Sequence, residues 1–171
     1  MNSSDNSDIP LDTLQAHYGV AYPTPFRELA CALCTSSTRY LKILSPHLDH
    51  TIFDSVEVAD AISALARSDS HSRVQILISD SRPILQKGHR LLSLSRRLPS
   101  SVIFRKLSDH PEMKGQTVLV GDLDKVLFMP GDEGPGFYDP DSRASAKQFT
   151  DKFDSLWERG VADPGFRRLG L

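Results

Sequence analysis

The segment Ser81–Ser108 holds the densest cluster of side chains in this sequence that could bind an anion. It contains seven Lys or Arg residues, one His and no acidic residue, although the chain of 171 residues has a net charge of -2. At 100° per residue, the basic side chains of its helical part fall on the polar side of one helix, and two more close the next strand. Because guanidinium groups bind phosphate through paired hydrogen bonds, we predict an anion-binding surface here. Its residues are His89, Arg90, Arg96, Arg97, Arg105 and Lys106.

The same basic face fits two other interpretations. It is typical of a solvated helix surface whose charges pair with acids elsewhere in the chain. It also fits nucleic-acid binding, although no aromatic residues for base stacking are interleaved with the basic ones.

Two cysteines and two histidines are spaced almost as in a zinc finger. The pattern Cys31-x2-Cys34-x12-His47-x2-His50 offers two thiolates and two imidazoles, which are ligands of tetrahedral Zn²⁺. A finger carries its histidines on one helix at a wider spacing, whereas Pro46 directly precedes His47 here and an apolar strand fills the gap. We therefore predict no metal site, but two buried thiols and two histidines in loops.

Two short motifs are similar to redox or cofactor sites. Cys31-Ala-Leu-Cys34 has the spacing of a redox dithiol, but such dithiols lie at a helix N-terminus and this one lies inside a predicted helix. Lys87-Gly88-His89-Arg90 could be a phosphate-cradling turn or the remnant of an acetyl-CoA site, yet a single Gly supplies too few accessible N–H groups. Packing explains both motifs, so we predict no cofactor.

Two residue pairs have structural interpretations. Asp122 and Asp124 resemble paired catalytic carboxylates, but turn chemistry is sufficient to explain them. Phe153 and Trp157 stand one helical turn apart, and we expect them to anchor the core or an interface.

Alternating helical and strand patterns position these residues. Helices are expected at Pro25–Ser37, Val56–Ala66, Pro83–Leu98 and from Asp141 or Ser142 to Gly160. Strands are expected at Tyr40–Leu44, Val74–Ile78 and Val102–Lys106, followed by a hairpin of Thr117–Val120 and Lys125–Met129. Residues Pro130–Pro140, with three Gly and three Pro, are expected to form a surface loop.

The chain length fits one domain, which we place at residues 24–160. Residues 1–23 are expected to be a mobile polar tail, and residues 161–171 a C-terminal tail that packs in part. The N-terminus has no secretory signal, and no apolar run reaches the ~18 residues that cross a bilayer. The sequence therefore predicts a cytoplasmic protein without a membrane segment, whose cysteines stay reduced.

The order of these elements gives a family resemblance. One strand ends in Ser45-Pro46 and the next in Ser79-Asp80, and the order over about Arg39–Arg159 resembles one half of a phospholipase D-like fold. The resemblance implies an α/β protein with a mixed β-sheet flanked by helices (β-α-β-α-β-β-β-α), here with an extra N-terminal helix. More narrowly, ILSPHLD, GHRLLSLSRRLPS and FDSLWERG resemble an uncharacterised bacterial domain family found in company with acetyltransferase-type proteins.

Active phospholipase D-like enzymes carry His-x-Lys-x4-Asp on the hairpin. If Asp124 takes the Asp place, the His and Lys places hold Thr117 and Leu119; if Asp122 takes it, they hold Gly115 and Thr117. A phosphohistidine intermediate needs the imidazole at that place. We therefore predict a degenerate site without phosphodiesterase activity by the family mechanism.

Other histidines do not restore the motif. His110 and Lys114 stand near the hairpin, but Pro111 lies between them and their spacing differs, so we do not expect them to substitute.

Three functions remain open. The first is a non-catalytic binding module that holds a protein partner or a phosphorylated ligand through the basic face. Because active members with one half-domain pair two copies, the resemblance also implies a homodimer. The second is a nucleic-acid-binding protein that uses the same face. The third is an enzyme with a rebuilt site, phosphodiesterase or acyltransferase-associated, that uses His47, His50 or His89 as acid or base.

Overall fold

The frame of the molecule is one mixed β-sheet. The computed structural model describes residues 10–131 and 134–167, and within these ranges the sheet has seven strands in the order β1-β7-β6-β5-β2-β3-β4. Strands β2, β3 and β4 are parallel to one another, and the remaining neighbours are antiparallel. The strands are β1 (His17–Val20), β2 (Tyr40–Leu44), β3 (Arg73–Ile78), β4 (Val102–Lys106), β5 (Thr117–Gly121), β6 (Lys125–Met129) and β7 (Gly136–Asp139).

Helices cover both faces of this sheet. The helices are α1 (Phe26–Ser36), α2 (His50–Phe53), α3 (Val56–Ser68), α4 (Arg82–Lys87), α5 (Arg90–Arg97) and α6 (Arg143–Arg159). The larger apolar core lies between the sheet and helices α1, α3 and α5, and a second core lies between the sheet and α6. Because the central strands are buried on both faces, their sequences are nearly continuous apolar runs. These are the apolar runs from which the sequence predicted strands.

Local capping fixes where two of the predicted helices begin. The Ser55 hydroxyl accepts the Val58 N–H at 3.1 Å and begins α3. The Ser142 hydroxyl accepts the Ser145 N–H at 3.2 Å and begins α6. Of the two N-cap candidates in the sequence, Asp141 and Ser142, the N-cap is therefore Ser142. No helix in residues 10–131 and 134–167 is both long enough and apolar enough to span a bilayer.

Asp122 joins the β5–β6 turn to the start of β2. Its carboxylate accepts the backbone N–H groups of Thr38, Arg39 and Tyr40 at 2.7 to 3.2 Å. Burial alone would raise the pKa of this carboxyl, but these hydrogen bonds and one from Lys125 outweigh burial and lower the pKa. Asp122 therefore has a structural role in the turn, as the sequence indicated.

The predicted helix Pro83–Leu98 is two helices, which corrects the sequence analysis. Gly88 separates α4 from α5 with φ +75°, a backbone conformation that favours glycine. His89 then begins α5, because its Nδ1 accepts the Leu91 N–H at 3.0 Å. The apolar periodicity continues across the break, so periodicity alone did not reveal it.

Two short strands lie in segments that the sequence analysis assigned to a tail and a loop. Strand β1 falls within the predicted N-terminal tail, and β7 falls within the predicted loop Pro130–Pro140; the two pair antiparallel. The Tyr138 hydroxyl donates to the Thr13 carbonyl at 2.6 Å and holds the N-terminal segment against β7. Both strands have four residues and contain glycine, so they carry little of the pattern that predicts a strand. Residues 1–9 and 168–171 of the two predicted tails lie outside the described residues.

The segment that follows α6 also packs on the body. Val161 pairs with Lys106 at the free edge of β4, and the buried Phe166 ring lies 5.3 Å from the Phe104 ring. This segment covers part of an otherwise open strand edge.

Candidate anion-binding cleft

The structure distributes the predicted basic surface over several places. The Arg90 guanidinium and backbone N–H both donate to the Asp54 carboxylate, at 3.2 and 3.0 Å. Arg96 Nε donates to the Phe166 carbonyl oxygen at 2.9 Å and so holds the C-terminal segment. Arg97 is exposed and lines a shallow groove together with Arg90. Two of the three arginines of α5 therefore make contacts within the protein.

Arg105 and Lys106 point away from each other, because they are consecutive in strand β4. The Arg105 guanidinium carbon lies 4.5 Å from the Trp157 ring centroid, and Nη1 donates to the Trp157 carbonyl at 2.9 Å. Lys106 Nζ lies 3.7 Å from a carboxylate oxygen of Asp163. The six predicted residues thus do not form one continuous surface.

His89 is a buried helix cap. Only 4% of its surface is exposed, and within the described residues its Nε2 atom has no hydrogen-bond partner. Burial lowers the pKa of His89 to about 4, against an opposing effect of the Asp54 carboxylate. The imidazole is therefore neutral near pH 7 and does not add to the positive charge of α5.

A cleft opens at the edge of the sheet where β2, β3 and β4 end and β5 begins. Its cavity volume is about 810 Å³. The strand order reverses here, since the chain runs outward from β2 to β4 and then returns to place β5 on the other side of β2. Open α/β sheets bind ligands at such reversal points. We name this cleft the basic compartment after its basic side chains, which are His47, Arg82, Lys106, His110 and Lys114.

Carboxylates balance part of this positive charge. Arg82 donates two hydrogen bonds to Asp80, each 3.0 Å long, and these bonds lower the pKa of Asp80 to about 2. Asp163 lies beside Lys106 and also accepts the Ser81 hydroxyl at 2.8 Å. His47 is exposed and lines the cleft. An incoming anion would therefore compete with carboxylates for Arg82 and Lys106.

A second cavity of about 720 Å³ adjoins the first and shares Pro46, His47 and Gly115 with it. We name it the apolar compartment, because the side chains of Val20, Tyr22, Met129 and three prolines contribute to its walls. The Tyr22 hydroxyl donates to the Asp49 carboxylate. Burial, and then this bond, raise the pKa of Tyr22, so its hydroxyl stays neutral.

The resemblance to phospholipase D-like enzymes implies His and Lys places at Gly115 and Thr117 in one register and at Thr117 and Leu119 in the other. Gly115 lines both compartments and Thr117 lines the apolar one, whereas Leu119 is fully buried in the core. If Asp122 takes the Asp place of the motif, the His and Lys places are therefore Gly115 and Thr117, and both lie at the cleft. Asp122 itself lies at the opposite end of β5, where it holds the start of β2.

The zinc-like cysteines and histidines lie in different environments. Cys34 is buried in α1, where burial raises the pKa of its thiol to about 12, and Cys31 is half-buried. His47 is exposed in the loop after β2, and His50 begins α2, where its Nε2 donates to the Gly88 carbonyl at 2.8 Å. Among residues 10–131 and 134–167, no three Cys, His, Asp or Glu side chains come together as a metal-ligand set.

Most residues of the two compartments were missed by sequence reasoning. Lys106 is the one residue of the predicted basic set that lines the basic compartment. The signal that could have found the cleft was the pair of strand endings, Ser45-Pro46 and Ser79-Asp80. The carboxyl ends of parallel strands meet at one edge, so the residues that follow them lie together.

The strand order, the two helical layers and the cleft at the strand ends are those of a phospholipase D-like α/β fold, and the predicted fold class is confirmed. The family model described as "Domain of unknown function (DUF7931)" matches residues 22–169, so the chain belongs to that family. No curated protein sequence matches the chain at a significant level.

Solved structures of similar fold share little sequence with this chain. Nuc from Salmonella typhimurium, a phospholipase D family member, has a TM-score of 0.57 at 14% identity, covering 86% of this chain and 95% of its own. NucT from Helicobacter pylori has a TM-score of 0.60 at 15% identity, covering 87% and 98%. TrmBL2, an archaeal chromatin protein whose structure shows a novel mode of DNA binding, has a TM-score of 0.60 at 14% identity. That match covers 85% of this chain and 52% of TrmBL2, so this chain spans about half the length of TrmBL2.

Proposed function

We propose that this chain is a non-catalytic phospholipase D-like binding module that holds a phosphate-bearing ligand in the basic compartment. The observation that carries the proposal is the convergence of five basic side chains, from four separate segments of the chain, at the edge of the sheet where β2, β3 and β4 end. Lys106, which belongs to the set predicted from sequence, and Arg82 both lie beside carboxylates but still line the cleft. Arg90, Arg96 and Arg105 are engaged elsewhere within the protein. We therefore place the proposed binding site at the sheet edge rather than on the helix face.

The absence of a nucleophile at the family's position supports a binding role. Gly115, at the place of the nucleophilic His, has no side chain, and Thr117, at the place of the phosphate-binding Lys, carries no charge. We expect no hydrolysis of bis(p-nitrophenyl) phosphate, and measurable turnover at the level of an active phosphodiesterase would contradict this part of the proposal.

Titration calorimetry with inorganic phosphate tests the binding site. We expect Lys106→Ala to weaken phosphate binding roughly tenfold, because a hydrogen bond to a charged group is lost. Arg97→Ala removes the same charge type from an exposed place outside the compartment and is expected to leave the affinity unchanged. Equal losses in the two variants, or no phosphate binding by the wild-type chain, would contradict the proposal; thermal unfolding of both variants establishes that they fold.

A nucleic-acid ligand is the second candidate, favoured by the similar fold of TrmBL2, whose structure shows DNA binding. Fluorescence anisotropy with a labelled duplex would then show an affinity that falls with salt, with a logarithmic slope near -0.9 per phosphate contact. We expect Arg97→Glu to weaken binding more than Arg67→Glu, an exposed arginine at the end of α3. If Arg97→Glu has no effect, the basic face does not bind the duplex.

An enzyme with a rebuilt site is the third candidate. Of the three histidines considered as acid or base, His47 is exposed and lines both compartments. His50 and His89 contact each other elsewhere, with ring centroids 4.9 Å apart.

A protein partner and a homodimer remain proposals that rest on the resemblance, and the two free thiols favour a cytoplasmic location.

A further inference from the structure

The apolar compartment has no role in holding a phosphate, yet it opens directly into the basic compartment. The two cavities share His47, Pro46 and Gly115, so a ligand whose phosphate lies near His47 would extend its organic part into the second cavity. The volume of about 720 Å³ is within the range of small-molecule sites, roughly 300 to 1,000 Å³. The second cavity can therefore select the organic group of the ligand.

Tyr22 gives this compartment a fixed aromatic wall. Its hydroxyl donates to Asp49, and its ring packs at 5.2 Å and 51° against the buried Phe26 ring. Tyr22 keeps 41% of its surface exposed and lines the cavity, so it is accessible to a ligand. An aromatic ring held at both ends is suited to stack against another planar group.

Hydroxyl groups line the same compartment. Ser45 Oγ accepts the Leu48 N–H at 3.1 Å and keeps its own hydrogen to donate. Thr117 adds a second hydroxyl from the start of β5, and the Asp49 carboxylate stands beside Tyr22. These groups suit a ligand with hydroxyls and oppose one with a second negative charge. A long alkyl chain would offer no acceptor to the Ser45 and Thr117 hydroxyl groups.

We propose that the two compartments together bind a nucleoside monophosphate group, with the base against Tyr22 and the phosphate among the basic side chains. The inference rests on the proposed phosphate-binding function and adds the class of ligand. The sugar would lie between the two cavities, near Ser45 and Thr117. The group could come from a free nucleotide or from the phosphorylated end of a nucleic-acid strand, because the chemistry recognised is the same.

Titration calorimetry with four probes tests each part of the ligand: inorganic phosphate, ribose 5-phosphate, adenosine and adenosine 5′-monophosphate. We expect the monophosphate to bind roughly tenfold more tightly than ribose 5-phosphate, because a stacked base adds a contact of this order. Adenosine is expected to bind more weakly than the monophosphate, since it lacks the phosphate.

Two variants change the apolar compartment without touching the basic one. Tyr22→Ala removes the aromatic wall, and Ala21→Trp fills the cavity from an exposed position. Both are expected to remove the advantage of adenosine 5′-monophosphate over ribose 5-phosphate while leaving the affinity for inorganic phosphate unchanged. Tyr18→Ala is the matched control, because Tyr18 is 80% exposed on β1 and lies outside the cavity lining.

The outcomes separate this inference from the proposed function. If phosphate binds but the base adds no affinity, the inference is wrong and the proposed function stands. If phosphate does not bind, the proposed function fails first. A 5′-phosphorylated single-stranded oligonucleotide identifies the source: tighter binding than the free monophosphate indicates a strand end, and equal or weaker binding indicates a free nucleotide.

Discussion

His89 illustrates how a residue predicted to bind anions can be part of the core. Its imidazole caps α5 through Nδ1 and lies beside His50 and Asp54, with 4% of its surface exposed. From the sequence it looked like one more positive group on a polar helix face. The sequence placed His89 on the solvent side of one continuous helix, whereas the break at Gly88 turns His89 toward the core.

The buried imidazole makes the stability of the fold depend on pH. The pKa of His89 is lowered from 6.5 to about 4, so between these values the unfolded chain binds a proton that the folded chain does not. We expect the free energy of unfolding to fall by roughly 2–3 kcal/mol from this group as pH decreases from about 6.5 to 4. Urea unfolding at pH 7.0 and pH 4.5 measures the change, where ~2 kcal/mol is within reach of the method.

His89→Asn is the variant for this measurement, because Asn caps a helix but does not titrate. The loss of stability between the two pH values should be smaller in His89→Asn than in the wild-type chain. His71→Asn, at an exposed position, should behave like the wild type. Equal losses in all three proteins would show that His89 is not buried as described.

The arginines show why charge counts alone do not locate a site. Arg90 is paired with Asp54, 36 residues earlier, and Arg96 bonds the Phe166 carbonyl, 70 residues later. Local periodicity placed both arginines on the solvent side of a helix correctly. It could not show partners that only the fold brings near.

At the scale of elements, long periodic segments were predictable and short or broken ones were not. The strands β2 and β3 and the helices α3 and α6 follow the patterns that predicted them, since each buries a continuous apolar face. Strands β1 and β7 have four residues each and pair with one another although they are far apart in the chain. Their stability depends on tertiary contacts, which no local pattern contains.

Gly88 allows a direct test of the break between α4 and α5. With φ +75°, an added Cβ meets nothing within 4 Å, so the cost of Gly88→Ala comes from the backbone alone. We expect Gly88→Ala to lower the free energy of unfolding by roughly 1–2 kcal/mol in urea titrations.

A continuous helix predicts the opposite sign. In a helix interior the same change would stabilise the protein by about 1 kcal/mol. Ser93→Ala, at an exposed position within α5, is the control and should change stability by less than about 0.5 kcal/mol. If Gly88→Ala stabilises the protein, the result would contradict the break at Gly88 and support the single helix predicted from sequence.

At the scale of the whole molecule, the cleft is a consequence of topology. Its basic side chains follow β2, β3 and β4 or precede β5, so they come from segments that are far apart in the chain. The sequence predicted these elements and their order, but it did not predict that the segments after them would bring five basic side chains to one cleft. Open α/β sheets bind ligands where the strand order reverses, so the predicted topology could have indicated this edge of the sheet.

The resemblance to single-half members predicts that two copies associate. Size-exclusion chromatography with light scattering should give twice the chain mass of 19.0 kDa at high protein concentration. A mass of one chain at all concentrations would count against the homodimer and leave the binding proposal unaffected.

The most direct test of the account is a ¹H–¹⁵N NMR titration of the chain with inorganic phosphate. If the ligand binds in the basic compartment, the largest shifts should occur at the amides of Ser79, Lys106 and Gly115, at the ends of β3 and β4 and before β5. Shifts confined to Arg90–Arg97 would instead place the anion on the helix face predicted from sequence, and would contradict the central claim.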